Sequence, residues 1–431
     1  MGRDKGVLCH LTSLPNGKIS DSDRFLEFLK QNGYSKWQFL PLTPPDKHNS
    51  PYASPSAFAG HYGICSSDVV GDLTEEDYWL EDWALFATIT EHYPGKNWTE
   101  WPDELRNRDP VALAKWREKI LPEIRRQGIF QHEWLAMKAR ANGQGIELIG
   151  DLPIFISHHS ADVWANPELF QLDENGLPTV VAGVPPDYFS ETGQLWGTPV
   201  YRWALHRLSR FRWWKRRLRR QLEVFDLLRI DHFRALEAAW IVPGADRTAE
   251  RGGWVRTPGA SLLRQLQRRL PSPLPLIAED LGVITPEVEA LRDRFGLPGM
   301  KILQFAFDGN PANPYLPANI KGENWVVYTG THDNATSMGW WQQLSQEQRA
   351  QVEALTGPVH APGWQLLELA LQTSAGLALV PLQDLLHLGD EARFNTPGTT
   401  EGNWTWRLPQ PIASLAGPLL GYGELARRYG R

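Results

Sequence analysis

Asp231, Glu279 and Asp333 each close a short apolar run, over residues 226–230, 275–278 and 325–332. The runs are rich in residues that suit a buried strand, and each ends in a polar cluster. Two carboxyl groups facing one bond are the chemical minimum for breaking a glycosidic linkage, and a third is a common helper. The contexts divide the labour. Arg229 and Asp231 lie two apart in an extended run and so share a face, with Ile230 turned to the core. A guanidinium that near is expected to hold Asp231 ionised, as a nucleophile requires. Glu279 follows an apolar run, where burial is expected to disfavour its charge and leave it a proton to give. Asp333, beside His332, is suited to hydrogen-bond the hydroxyls of a distorted ring. Asp151 lies near the end of a fourth run. One acid after a strand is as well explained by helix capping, but four in such contexts favour sugar chemistry.

Positioning four acids from distant parts of a chain needs a repeated strand-to-loop geometry. Eight runs read as buried strands: 7–14, 36–42, 146–156, 224–233, 274–281, 300–307, 325–333 and 377–382. Helical periods over 22–31, 260–270, 286–295, 345–355 and 365–372 fall between or after them. Thr285 stands at a predicted N-cap, with proline in the first turn. Alternating strands and helices imply parallel pairing with right-handed crossovers. Eight such units predict an α/β fold, a (β/α)₈ TIM barrel with active residues at the C-terminal strand ends. We read residues 1–431 as one catalytic domain with two insertions on that face. Residues 62–130, rich in Trp, Asp and Glu, are read as a helical subdomain. Residues 157–201, dense in Pro, Gly, Asp and Asn, are read as mostly loop over the active site.

Composition narrows the function. The chain has 431 residues, a formal net charge of −6 and two cysteines, Cys9 and Cys65. The mild acidity argues against a nucleic-acid partner, and the cysteine content argues against a disulfide-stapled secreted fold. There is no long apolar span and no signal-peptide core at the first residues, so no membrane association is expected and a cytoplasmic setting is the default. No nucleotide-binding glycine motif or zinc-binding HExxH motif occurs; the adjacent His158 and His159 point apart in an extended segment, so neither metal nor cofactor is expected. The basic stretch 207–220 is read as a helix that docks Leu208, Phe211, Trp214 and Leu218 on the barrel and leaves its cations in solvent. The 20 tryptophans are read mainly as packing, with some free to stack on sugar rings.

The ordered motifs carry a resemblance. They are Thr12-Ser13-Leu14-Pro15, Ser50-Pro51-Tyr52, Gly150-Asp151-Leu152-Pro153, Val181 to Ser190, Arg229-Ile230-Asp231-His232-Phe233-Arg234, Ala278-Glu279-Asp280-Leu281-Gly282, Gly299 to Phe305 and Thr331-His332-Asp333-Asn334. In this order they resemble the amylomaltase family of 4-α-glucanotransferases, the disproportionating enzymes of the α-amylase clan, over nearly the whole chain. The resemblance implies transfer of α-1,4-glucan segments to the 4-hydroxyl of an acceptor sugar by retaining double displacement. It implies malto-oligosaccharide, amylose or a starch- or glycogen-type glucan as substrate. Asp231 resembles the nucleophile, Glu279 the general acid/base and Asp333 the transition-state stabiliser. Arg229, His332 and Asp151 match residues that shape the site of the transferred sugar, and Tyr52 the aromatic beneath it. Ser50 comes with the same motif as a substrate-binding position. Asp187 and Trp196 match a loop over the glucan groove. The sequence departs from the family pattern at Ala235, Ala239, Ala335 and Thr198, outside the three acids. Hydrolysis on the same scaffold and non-catalytic glucan binding are the competing functions, since the fold alone decides neither.

Overall fold

The computed structural model describes residues 3–73, 77–186 and 190–431. Twelve strands are numbered here in chain order: β1 (Asp4–Leu8), β2 (Lys36–Gln38), β3 (Glu147–Pro153), β4 (Val180–Val184), β5 (Gln194–Pro199), β6 (Leu227–Asp231), β7 (Ala238–Pro243), β8 (Gly253–Arg256), β9 (Leu276–Ala278), β10 (Gly299–Ile302), β11 (Trp325–Tyr328) and β12 (Leu377–Pro381). Eight form one parallel sheet in the order β10-β11-β12-β1-β2-β3-β6-β9. Each falls within or beside one of the eight predicted runs, but most are shorter, because the apolar run continues into the loop that follows. The two ends of the order meet through the Ala278 N–H, which donates to Pro298 O at 2.8 Å. Asp280 completes the seam: its Oδ1 accepts from the Met300 N–H at 2.7 Å, and its Oδ2 is paired with Arg292. Gly299 is needed there, since a Cβ would come within 2.6 Å of the Asp280 carboxylate.

The fold is therefore the expected TIM barrel. Its interior is filled by Ile149, Leu227, Ile277, Met300, Ile302, Val326, Tyr328, Leu377 and Leu379, in keeping with a packed core rather than a pore. Helices surround it because each presents an apolar stripe to the outer face of the sheet. Ser22–Gln31 buries Phe25, Leu26, Phe28 and Leu29, and Pro362–Gln372 buries Leu366, Leu367, Leu369 and Leu371. Gln346–Thr356 starts at Ser345, whose capping box satisfies the first free amides. Between β2 and β3 the chain is helical, with Asp77–His92, Pro110–Arg117 and the long Leu121–Gly143 that returns to β3. Among the described residues no helix is long and apolar enough to cross a membrane.

The segment 157–201, read as mostly loop, also holds β4 and β5. They pair antiparallel with β7 and β8 in a four-stranded sheet of order β5-β4-β7-β8. Val180 pairs with Pro243, a partner too far along the chain for local pattern to reveal. The basic stretch is not one solvated helix. Arg210 and Phe211 take positive φ, which breaks it into Trp203–Leu208 and Arg212–Val224, and Leu208 is left 81% exposed. In the second helix Arg217 and Arg220 are buried instead. Arg217 donates to Pro153 O and Ile154 O at the end of β3, and Arg220 to Gln131, Glu223 and Phe58 O. Guanidinium groups replace water as donors where a strand end would leave carbonyls unpaired. Most tryptophans do serve packing, with Trp37, Trp134, Trp164 and Trp214 fully buried.

Candidate active site

Four barrel strands bring the acids to one rim. Asp151 lies in β3 opposite Arg229 of β6. Ile230 of β6 pairs with Ala278 of β9, so Asp231 and Glu279 follow on adjacent strands. That pairing continues beyond the ladder, as the Glu279 N–H donates to Ile230 O at 3.1 Å and the Phe233 N–H to Glu279 O at 3.0 Å. His332 and Asp333 stand in the loop after β11. Buried Asp384 at the end of β12 pins that loop by accepting from the Thr329 hydroxyl and from the Ser337 hydroxyl and N–H.

One hydrogen-bonded network joins these residues. Arg229 Nη1 donates to Asp151 Oδ2 at 2.6 Å and to Asp231 Oδ1 at 3.0 Å. The Tyr52 hydroxyl donates to the same Asp151 oxygen at 2.7 Å and lies 2.8 Å from His332 Nε2. The Tyr52 and His332 rings stack with centroids 5.3 Å apart. His332 Nε2 is 3.3 Å from Asp333 Oδ2. Asp151 is fully buried, yet its Oδ1 has no hydrogen-bond partner.

Crowding sets the charges. Burial pushes the Asp231 carboxyl up, opposed by the Arg229 ion pair and assisted by Asp151, Glu279 and Asp333. The expected Arg229 contact with Asp231 is present and favours the ionised form, but burial and the neighbouring acids outweigh it. The group remains 29% exposed at its side chain, so solvent softens this push. Burial also raises Glu279, against the pull of Arg229 and of two backbone amides. Those amides are His232 N–H to Oε2 at 2.6 Å and Leu281 N–H to Oε1 at 2.9 Å. Two acids on neighbouring strands with one shared cation take up a proton as a pair. Arg229 donates to Asp231 and forms no hydrogen bond with Glu279 among the described residues. Burial keeps His332 below its usual range, and His232 is lowered to about 4, so both rings are neutral.

The remaining candidates divide. Trp196, at the exposed end of β5, meets the His232 ring edge-on at 4.8 Å and so borders the rim. Ser50 closes a turn in which its N–H donates to Asp46 Oδ1 at 2.8 Å, and its bonds run to that turn rather than to the acids. Asp187 lies outside the described residues. Sequence reasoning missed a group on the segment after β12. Asn395 Nδ2 donates to Asp333 Oδ1 at 2.6 Å, Arg393 Nη2 to Asp333 O at 2.7 Å, and Trp404 packs on Tyr52 with centroids 5.5 Å apart. None sits at the end of an apolar run, so periodicity could not mark them. Only the apposition of this segment with the 331–334 loop makes them neighbours of the site.

The chain compares closely with known proteins. The 4-alpha-glucanotransferase family matches residues 9–75 and 72–413. A 4-alpha-glucanotransferase of Thermus thermophilus is 43% identical, covering 94% of each chain. One of Synechocystis is 41% identical over 100% of this chain and 98% of its own length. The solved structure of amylomaltase from Streptococcus agalactiae in complex with acarbose superposes with a TM-score of 0.93 at 33% identity, covering 100% of this chain and 99% of that one. A crowded carboxylate rim on a TIM barrel and matches across almost the whole length lead to one conclusion: the chain belongs to the 4-alpha-glucanotransferase family.

Proposed function

We propose that the chain transfers α-1,4-glucan segments between malto-oligosaccharides by double displacement, with Asp231 as nucleophile, Glu279 as acid and then base, and Asp333 as stabiliser. The observation that carries this is the pairing of β6 with β9, which sets Asp231 beside Glu279 and gives only Asp231 the Arg229 contact. Asp231 attacks the anomeric carbon while the Glu279 proton passes to the leaving oxygen, leaving a covalent glycosyl-enzyme. Glu279, now ionised, takes the proton of the acceptor 4-hydroxyl, which displaces Asp231 and restores the anomeric configuration. Asp151, Arg229, Tyr52 and His332 orient the sugar in between. Asp333, held by Asn395, meets ring hydroxyls whose bonds strengthen as the ring flattens.

Trp196 stands at the edge of the site and suits the role of a hydrophobic wall over the bound glucan, with Asp187 and Ser50 kept as outer contacts and 157–201 as the strap above the groove. Free, buried Cys9 and Cys65 suit a cytoplasmic setting. Incubation with maltotriose, with products resolved by length, is the test. Glucose together with chains longer than maltotriose supports transfer; glucose and maltose alone would show hydrolysis.

A further inference from the structure

We infer that Arg234 is a positioning residue for the acid/base, and that it works by tying together the two loops whose amides cradle Glu279. The cradle has one amide from each loop. The His232 N–H follows β6 and the Leu281 N–H follows β9. Arg234 leaves the first loop two residues after His232, and its Nη1 donates at 2.6 Å to Val283 O, two residues after Leu281. Its side chain therefore spans the gap that the cradle spans and limits how far the two amides can separate.

The surroundings suit that role. Arg234 is 6% exposed, although no carboxylate forms an ion pair with it among the described residues. The indole of Trp254 on β8 covers it, with the guanidinium carbon 3.6 Å from the ring centroid. A dry, stacked guanidinium is held in one orientation, and a hydrogen bond shielded from water resists stretching. His232 itself takes a left-handed backbone, φ 56, which aims its N–H back at Glu279 and costs free energy. A strained amide donor needs its flanking chain anchored. The Phe233 N–H donates to Glu279 O, and Arg234, the next residue along, adds the link to Val283 O.

Amides donating to both carboxyl oxygens favour the ionised form. A loosened cradle makes Glu279 a weaker acid, displaces its proton from the scissile oxygen, and leaves substrate contacts around Asp151 and Tyr52 intact. The other groups that act on Glu279 are Arg229 and Asp231 from β6, Asp280 beside it, and Tyr315 after β10. None is moved by changing residue 234.

The inference rests on the acid/base reading of Glu279, and the experiment separates the two. Arg234→Met, Arg234→Lys and Trp254→Ala are compared with the parent enzyme by the pH profile of maltotriose disproportionation, with Glu279→Gln as control. Arg234→Met is expected to lower kcat roughly 10–100-fold, the scale for a displaced catalytic group, with KM nearly unchanged and the alkaline limb moved to higher pH. Arg234→Lys, which keeps a donor for Val283 O, is expected to recover part of the loss. Trp254→Ala keeps the cation and wets the clamp, so a smaller shift in the same direction there cannot come from lost charge. It also serves if the Met variant fails to fold. An unmoved alkaline limb in the folded Met variant, or in Trp254→Ala where Met does not fold, overturns the clamp. Full turnover in Glu279→Gln instead overturns the acid/base reading.

Discussion

The parallel strands that carry the carboxylates and the antiparallel strands beside them are built on opposite terms. β3, β6, β9 and β11 are buried along nearly their whole length, while β5 and β8 are largely exposed. Strands covered on both faces hold a charged side chain only where a partner is within reach. Asp231 ends β6, Glu279 follows β9, Asp333 stands in the loop after β11, and Asp151 lies within β3, where it shares Arg229 with Asp231. The small sheet carries Trp196 on an edge strand, 37% exposed, where its ring meets His232 and Phe155, while Trp254 on β8 stacks on Arg234. Rigid, buried backbone sets the chemistry; exposed, twisted backbone shapes access to it. Changes on the first side should therefore act on kcat, and changes on the exposed edge strand β5 on KM.

The largest effect expected is on the barrel side. Asp231→Asn should lower turnover by about 10⁴-fold or more, the scale for loss of a nucleophile, while glucan binding persists in calorimetry. Retained turnover would remove the nucleophile assignment. Glu279→Gln should cost about 10²–10⁴-fold and flatten the alkaline limb of the rate profile, since the group that must hold a proton no longer titrates. Asn395→Ala leaves the Asp333 carboxylate without its 2.6 Å donor. A kcat loss of roughly 10–100-fold with little change in KM is expected, measured by steady-state kinetics. Trp196→Ala, on the small sheet, should do the reverse, raising KM by about 5–10-fold, the worth of a partly exposed stacking contact of about 1 kcal/mol, with kcat nearly kept. A kcat collapse there would erase the contrast between the two sheets.

The smallest effect is on stability. Asp231 has a folded pKa raised above its unfolded value, so its ionisation opposes folding as pH rises through that interval. Asp231→Asn keeps an oxygen for Arg229 and removes the charge. It should melt a few degrees above the parent at neutral pH, and the gain should vanish in acid, where the parent carboxyl is protonated in both states. Scanning calorimetry across pH checks the sign.

The barrel was legible because eight apolar runs repeat with polar closures, a pattern that survives uneven spacing. The pairing of Arg229 with Asp231 was legible from strand alternation, and the raised Glu279 from the run before it. The small sheet was not legible, since each of its strands carries Gly or Pro and β4 finds its partner β7 some sixty residues away. Asn395 and Trp404 were hidden for the same reason: no periodicity marks a side chain whose partner arrives from another loop. Arg217 and Arg220 looked like a solvated basic face because charge predicts exposure until the fold offers buried acceptors, the end of β3 for Arg217 and Phe58 O, Gln131 and Glu223 for Arg220.

Alternation along one run already dictated that Arg229 and Asp231 share a face, because side-chain period is a property of the local backbone. The protonation of the acids was settled by the assembled barrel. Burial, one shared guanidinium and two amides from separate loops act on Asp231 and Glu279 through space, and electrostatic energy depends on distances that the order of residues does not contain.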